Sequence, residues 1–324
     1  MIFGNNQIMK NNVGVQDGQY MLISVTIAGT NYLYLSTNFG ANWTSPSLLT
    51  AAAYGGTVIS SDATLIGAAY PGSTKTFRKS IDFGATFSSI TLANGTYSCG
   101  CISDSGQYIA LSGLNGTYII YSSDYGATWT SANNDKNPYA MCCDSTGQYM
   151  FLASANTSSN LGGFWYSTNY GATWTRYSFA GDVAKNIRCS ANGQYILATT
   201  TTVAYISSDY GANWTAVSTS YIPSGNLHAA CVSGTGQYMS IGRYGGYIYN
   251  SSDYGATWSS YTALGTKTFL YKGACSYDGK YRLLPCYATN AGMAFSSDFG
   301  ATWSFSNFSG NVVNDVAVNR MPPV

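Results

Sequence analysis

Residues 122–129 read SSDYGATW, and this stretch decides the fold of the whole chain. Seven versions of it occur, all eight residues long, and their first residues lie 40 to 45 residues apart. They occupy residues 36–43, 80–87, 122–129, 167–174, 207–214, 251–258 and 296–303. A period of this length is typical of a supersecondary unit that repeats around a ring or along a solenoid.

The chemistry of these eight residues favours a tight turn between two strands. Each copy follows an alternating apolar run and leads into a second short run. The third residue has a short side chain that accepts backbone N–H bonds, and the Gly two positions later tolerates positive φ. The third positions are Asn38, Asp82, Asp124, Asn169, Asp209, Asp253 and Asp298. Because Asn replaces Asp twice and no further carboxylates accompany it, we expect hydrogen bonding here and no metal.

The pattern S-x-[DN]-[FY]-G-x-[TN]-[WF] resembles the Asp-box, or BNR repeat, of β-propellers. Families that carry it include sialidases, sortilin-type receptors, plant-polysaccharide hydrolases and a photosystem assembly factor. The resemblance covers about residues 12–306 and implies a propeller scaffold, but it implies no particular function because the box is a scaffold element in all of them. The Tyr-rich form SSDYGATW also resembles blades in structural proteins of large DNA viruses and tailed phages, which implies a virion surface.

A second repeated turn lies between the boxes, and Ser105-Gly106-Gln107-Tyr108 is one example. Two hairpins per period give four strands, and seven periods give seven blades. The sequence therefore predicts a single all-β domain over residues 1–324, a seven-bladed β-propeller with four antiparallel strands per blade and the Asp-box in the third-to-fourth strand turn. The expected blades cover about residues 11–49, 50–93, 94–134, 135–180, 181–221, 222–264 and 265–307.

The C-terminal run 312–318 resembles the first strands of the blades, which makes eight candidates for seven places. We expect this segment to close the ring beside the N-terminal blade and to leave residues 1–10 peripheral or poorly ordered.

Loop lengths distinguish the two faces of the expected disc. The two repeated turns hardly change in length and fall on one face, whereas the other connections vary. Long examples are residues 68–75, 131–139, 153–163 and 218–227. Variable loops on a rigid scaffold are where binding usually resides, so we expect the binding surface there.

Composition argues against several partners. Charged residues make up 8% of the chain and the formal net charge is +1, which gives no electrostatic case for nucleic acid or an anionic membrane. The sequence pattern leads us to expect neither a signal peptide nor a membrane span. A homologue of the photosystem assembly factor would be expected to carry a basic patch, which is absent from the sequence.

The acidic residues argue against catalysis. The chain contains 13 Asp and no Glu, and only Asp135 and Asp182 fall in variable loops. A glycoside hydrolase commonly needs two suitably placed carboxylates, and a sialidase-like site would need an Arg cluster and a Tyr–Glu pair. We therefore predict a non-enzyme with no cofactor, and a sialidase-like or other glycoside hydrolase remains the alternative.

The single His and the eight Cys have structural interpretations. His228 precedes a strand, where a lone His is usually structural, although a triad is formally possible. Six Cys fall on or next to equivalent first strands, and we expect these strands to radiate apart and the thiols to be small buried hydrophobes. A reducing site of folding fits that interpretation. Adjacent Cys142 and Cys143 should point to opposite faces.

Exposed Tyr beside Asn, Ser and Gly is adaptable recognition chemistry. The candidate binding residues are Tyr139, Tyr221, Tyr244, Asn134 and Asn156. The sequence thus predicts a recognition or structural module that binds neutral, hydroxyl-rich partners, either glycans or protein neighbours in an assembly such as a virion or fibre.

Overall fold

The structure of the chain is a computed structural model. It describes residues 14–27, 30–45, 50–51, 55–70, 75–92, 97–113, 119–132, 138–154, 163–177, 183–262, 264–265, 268–269, 272–287, 292–307 and 312–322. Over these residues all regular structure is β, with no helix. The expected peripheral segment 1–10 lies outside the described residues.

The strands form seven antiparallel sheets, which we call blades 1 to 7. From the innermost strand outward, blade 1 contains Val312–Val318, Met21–Ile27, Thr30–Ser36 and Thr50–Ala51, and blade 2 contains Gly55–Ile59, Ile66–Tyr70, Thr76–Ser80 and Ser88–Thr91. Blade 3 contains Cys99–Ile102, Ile109–Ser112, Ile119–Ser122 and Thr130–Ala132, and blade 4 contains Pro138–Cys143, Met150–Ser154, Gly163–Ser167 and Thr175–Tyr177.

Blade 5 contains Ala184–Cys189, Ile196–Thr200, Ala204–Ser207 and Thr215–Ala216, and blade 6 contains Leu227–Val232, Met239–Arg243, Tyr247–Ser251 and Ser259–Tyr261. In blade 7 the innermost strand is broken into Thr268–Phe269 and Ala274–Cys275, followed by Arg282–Tyr287, Gly292–Ser296 and Ser304–Asn307. The chain is therefore an all-β, seven-bladed β-propeller with four antiparallel strands per blade, as predicted.

The innermost strands close a ring. Each of them contacts the innermost strand of the next blade, and the series returns from blade 7 through Val312–Val318 to blade 2. Val312–Val318 pairs antiparallel with Met21–Ile27, so blade 1 combines the last described strand of the chain with the first. The expected first blade, about residues 11–49, is wrong in two details. Residues 14–20 form no strand, and Thr50–Ala51 belongs to blade 1 because it pairs with Thr30–Ser36.

The core consists of seven apolar layers, one between each pair of neighbouring blades. The layer between blades 2 and 3, for example, joins Val58 and Phe77 to Ile109 and Leu111. Blades thus stabilise one another face to face, and one blade alone would leave both of its apolar faces in water.

The eight-residue turns have one hydrogen-bond pattern in all seven blades. The first Ser hydroxyl accepts the backbone N–H of the Gly at position five, at 2.8–3.0 Å. Oδ1 of the Asp or Asn accepts the N–H of position seven, at 2.8–2.9 Å. The aromatic residue at position four has a left-handed φ of 58–61° in every copy. Because left-handed backbone is costly for a bulky residue, these bonds hold the turn in a strained shape.

Six of the seven strained aromatic residues contact an aromatic ring of the neighbouring blade. Tyr108 of blade 3 stacks on Tyr170 of blade 4, with centroids 4.1 Å apart, and five further pairs repeat this contact around the ring. We call the surface that these rings share with the turns the turn face. Antiparallel pairing places the other connections on the opposite side, the loop face.

We expect Asp124→Ala to lower the free energy of unfolding by about 1–2 kcal/mol, because the Thr128 N–H, the Thr128 hydroxyl and the Ser122 hydroxyl lose the carboxylate that accepts their hydrogen bonds. Asp124→Asn should cost less, since Asn169 makes the corresponding Thr173 N–H bond at 2.9 Å. Urea unfolding of both variants checks this. Equal losses would show that the charge, and not the hydrogen bonds, holds the turn.

Candidate functional site

The structure places the predicted binding residues in three separate environments. Tyr139 lies in the innermost strand of blade 4, Tyr244 follows the second strand of blade 6, and Tyr221 lies in the connection between blades 5 and 6. All three side chains are exposed, by 41%, 58% and 41%, respectively. Asn134 and Asn156 lie outside the described residues, as does most of the loops 131–139 and 153–163.

The innermost strands of the blades surround a central channel. Tyr139 belongs to a row of bulged residues at the end of this channel that opens on the loop face. The pairing register shifts at Tyr139, Lys185 and His228, which occupy the same place in blades 4, 5 and 6. A bulge turns a side chain away from the regular pleat. The Lys185 ammonium lies 4.8 Å from the centre of the Tyr139 ring, and the Asn186 side chain donates to the His228 carbonyl at 2.9 Å. We call Tyr139, Lys185 and His228 the mouth cluster.

His228 is an uncharged member of the mouth cluster at neutral pH. Burial lowers its pKa from the ordinary 6.5 to about 4, and the positive charge of Lys185 acts in the same direction. A catalytic His is normally oriented by a carboxylate that stabilises the imidazolium. Its neighbour here is a cation, which has the opposite effect.

Behind the mouth cluster, two of the cationic side chains that line the channel, Arg188 and Lys272, reach across its axis. Arg188 of blade 5 donates from Nε to the Gly273 carbonyl of blade 7 and from Nη1 to the Met141 carbonyl of blade 4, both at 2.9 Å. Lys272 of blade 7 donates from Nζ to Asp315 Oδ2 of blade 1 at 2.8 Å and to the Ser98 carbonyl beside blade 3 at 2.9 Å.

Asp315 completes this network by accepting the Thr57 N–H of blade 2 at 2.9 Å. The remaining space in the channel is about 120 Å³. The channel is therefore a polar hub that ties six blades together, with room only for a few waters or a very small ligand.

A larger groove lies between blades 5 and 6 and opens beside the turn face. Its volume is about 450 Å³, and its walls carry Tyr195, Tyr221 and Tyr254 together with Ser208 and Thr215. Tyr195 and Tyr254 pack against each other with ring centres 4.6 Å apart. Tyr221 thus lines a groove that includes the turn residues of blade 6, whereas the sequence predicted a position on the loop face. The loop folds back because the Tyr221 N–H bonds the Ser218 carbonyl at 3.0 Å.

The carboxylate in this groove is already engaged. Asp253 accepts the Ser251 hydroxyl at 2.8 Å and the Thr257 N–H at 2.9 Å. Burial opposes ionisation of Asp253, but the bonds from Thr257 and Ser251 outweigh it and hold the pKa below its ordinary value. A general acid in glycoside hydrolysis needs a raised pKa, so Asp253 has the wrong acidity for that role.

Asp144, Asp278 and Asp17 also hold turns or chain ends together through their carboxylates. Asp144 accepts the Tyr149 N–H and the Thr146 hydroxyl, and Asp278 accepts the Lys280 N–H. Asp17 accepts the N–H groups of Tyr277 and Met321, at 2.7 and 3.1 Å, where the two ends of the ring meet. Asp135 and Asp182, the acidic residues predicted for the loops, lie outside the described residues.

Sequence reasoning missed Lys185 and the groove. An alignment of the repeats on their first-hairpin turns places Tyr139, Lys185 and His228 each five residues before the turn, at Asp144, Ser190 and Ser233. This shared position relative to the turn would have allowed the mouth cluster to be predicted from the sequence. The groove has no such signal, because it depends on how the connection from 217 to 226 folds.

No protein-family model matches the chain, and no curated protein matches it. Solved structures match its fold. YCF48 from Cyanidioschyzon merolae superimposes with a TM-score of 0.63 at 11% identity, over 89% of this chain and 99% of that chain. A structure of YCF48 bound to D1 peptide gives a TM-score of 0.55 at 15% identity, over 78% of this chain and 82% of that chain.

An ancestral GH74 enzyme gives a TM-score of 0.62 at 15% identity over 90% of this chain, which spans 47% of that enzyme. At such identities the likeness concerns the fold. The architecture and the comparisons together define the chain as a seven-bladed β-propeller. In the part of the chain that the structure describes, no helix is long and apolar enough to cross a membrane.

Proposed function

We propose that this protein is a non-enzymatic recognition propeller and that the groove between blades 5 and 6 binds a neutral glycan. The observation that carries the proposal is the lining of that groove. It combines three Tyr rings with Ser and Thr hydroxyls, and its one carboxylate is held within its own turn. Aromatic faces pack on the apolar faces of sugar rings, and hydroxyls bond their polar edges.

The size and charge of the groove support a glycan. A volume of about 450 Å³ falls within the range of small-ligand pockets. A chain with 8% charged residues offers few ion pairs to a partner, so hydroxyl-rich neutral ligands suit it best. The eight-residue turns act as scaffold in this proposal, and we propose that they are Asp-boxes.

The experiment is a glycan array followed by calorimetric titration of each hit. We expect Tyr221→Ala to weaken binding by about fivefold to thirtyfold, the effect of removing an aromatic contact worth about 1–2 kcal/mol. Tyr244→Ala is the matched control, because it removes an exposed Tyr outside the groove lining and should leave affinity unchanged. Equal losses from both variants would place the ligand elsewhere. Hydrolysis of any glycoside by the wild-type protein would replace the proposal with the glycoside hydrolase alternative.

A second function, a structural subunit of a virion or fibre, is favoured by the turn face. Phe83, Tyr125, Tyr210, Tyr254 and Phe299 stand on this surface with 36–49% of each side chain exposed. Repeated exposed aromatic rings are typical of a surface that contacts another protein. A silent glycan array, together with self-association of the purified protein, would favour this function. Mass spectrometry of purified particles from the source would test the virion assignment.

A further inference from the structure

Six Cys of the channel wall fall into pairs across blade boundaries, namely Cys101 and Cys143, Cys142 and Cys189, and Cys231 and Cys275. The Cys189 thiol donates across such a boundary to the Cys143 carbonyl at 3.1 Å. Each pair belongs to the apolar layer between two neighbouring blades, namely 3 and 4, 4 and 5, and 6 and 7. All eight Cys are buried and free.

The expectation that equivalent strands radiate apart does not hold at the hub. Neighbouring innermost strands touch at the hub, where the spacing between blades is smallest. Adjacent Cys142 and Cys143 do point to opposite faces, because they belong to the layers on the two sides of blade 4. The thiol pairs are therefore a consequence of ring geometry that strand patterning alone does not reveal.

The pair Cys231–Cys275 differs from the others in its surroundings. Cys231 lies opposite Ser240 in the sheet of blade 6, and Cys275 lies opposite Arg282 in the sheet of blade 7. Arg282 is fully buried and donates to the Gly279 carbonyl at 2.9 Å and to Ser240 Oγ at 2.7 Å. Among the described residues no carboxylate forms an ion pair with Arg282. A buried, unneutralised guanidinium favours an anion nearby, and a thiolate is the anion that this site can supply.

The pKa values of the two thiols reflect both their burial and the positive charge of Arg282. Burial opposes ionisation of Cys231, but the bond with Cys275 and the charge of Arg282 hold its pKa below the ordinary value. Burial and the bond with Cys231 raise the pKa of Cys275 well above the ordinary value. The charge of Arg282 favours the thiolate form of both Cys, and burial prevails over it only at Cys275.

Access and backbone freedom complete the site. Both Cys line the channel cavity of about 120 Å³, and a water occupies about 30 Å³ in the liquid, so a peroxide fits. Cys275 lies in a strand of only two residues, Ala274–Cys275, within the broken innermost strand of blade 7. So short a strand can shift to bring the two sulfurs to the bonding distance of about 2.05 Å.

We propose that Cys231 and Cys275 form an oxidisable dithiol, which reacts with hydrogen peroxide to give a disulfide between blades 6 and 7. The Cys231 thiolate attacks one peroxide oxygen and breaks the O–O bond, giving a sulfenic acid and hydroxide, which takes up a proton to form water. The Cys275 sulfur then attacks the Cys231 sulfur, and the sulfenic hydroxyl leaves as a second water with the Cys275 proton. Two thiols supply the two electrons that reduce the peroxide.

The test is treatment of the full chain with hydrogen peroxide, alkylation after unfolding, and peptide mapping without reduction. We expect a cross-linked 231–275 peptide and two fewer free thiols than the eight of the untreated protein. The thermal midpoint should rise by roughly 5 °C and return after reduction, because the disulfide closes a loop of the unfolded chain. Recovery of both Cys in alkylated form after oxidation would overturn the proposal.

Two variants separate this reaction from general oxidation of a Cys-rich channel. Cys275→Ser should abolish the cross-link and leave a Cys231 sulfenic acid that dimedone traps. Cys99→Ser is the matched control, because the Cys99 thiol donates to the Ser112 carbonyl of its own blade, and it should leave the cross-link intact. Equal loss of the cross-link in both variants, or dimedone labelling spread evenly over the channel thiols, would also overturn the proposal.

Discussion

Lys272→Met should lower the free energy of unfolding by about 3–5 kcal/mol, one of the largest single effects that we expect in this protein. Lys272 and Asp315 are 5% and 2% exposed and pair at 2.8 Å, so removal of the ammonium leaves an uncompensated carboxylate at the hub. The Ser98 carbonyl also loses its donor. Denaturant unfolding followed by tryptophan fluorescence measures the loss.

The double variant Lys272→Met/Asp315→Asn provides the control. An Asn at 315 is neutral, and its amide oxygen can still accept the Thr57 N–H that Asp315 accepts at 2.9 Å. We therefore expect the double variant to regain at least half of the stability that Lys272→Met loses, because the buried charge has gone. A double variant that is less stable than Lys272→Met would show that side-chain packing, and not charge, makes Lys272 important.

Acidification from pH 6.5 to pH 4 should destabilise the protein through His228 by about 2 kcal/mol. The pKa of His228 is about 4 in the folded state and about 6.5 when unfolded, so in this window the unfolded state binds more protons. The contribution of His228 is thus fully present above pH 6.5 and is lost as the pH falls to 4. The figure is reduced from the full shift because His228 is only partly buried.

The measurement compares the unfolding free energies of wild type and His228→Gln at pH 4, 5, 6 and 7. The variant lacks the titrating ring, so the advantage of wild type should grow across this range as the pH rises. Parallel profiles would contradict the burial of a neutral His228.

Asp17→Asn serves as the control of opposite sign. Burial raises the pKa of Asp17 to about 6, partly offset by N–H bonds from Asp278 and Tyr277. The folded state therefore holds the Asp17 proton more tightly than the unfolded state, and stability from this group falls as the pH rises from about 4 to 6. The Asn variant lacks this stabilising protonation of the folded state, so it should lose stability more steeply than wild type on acidification.

The eight-residue turns made the architecture predictable because each copy contains its own hydrogen-bond partners. Ser122, Asp124 and Thr128 lie within seven residues of one another, so the turn can be recognised without knowledge of the rest of the fold. Blade number and strand order then follow from the count of copies. The place of 312–318 in the ring could be predicted because its apolar pattern matches that of other first strands.

Long-range contacts account for what the sequence could not indicate. Lys272 and Asp315 are 43 residues apart, and Arg188 bonds Gly273 over 85 residues. No local pattern marks such partners, and a bulge such as the one at Lys185 changes the direction of a side chain without changing the apolar pattern. The sequence pattern places residues 50 and 51 in blade 2 instead of blade 1 for a related reason, since a two-residue strand carries too little periodicity to show which sheet it joins.

The closure of blade 1 also determines when the protein can finish folding. The inner edge of Met21–Ile27 pairs with Val312–Val318, the last described strand to leave the ribosome. Until then an apolar strand with five fully buried residues, Met21 to Val25, keeps one edge unpaired and able to pair with another nascent chain. At a synthesis rate of about 5–20 residues per second, the roughly 290 intervening residues leave that edge open for tens of seconds. Aggregation during synthesis should therefore be governed by this one edge, and a chaperone that covers it would raise the yield more than one that acts on the completed ring.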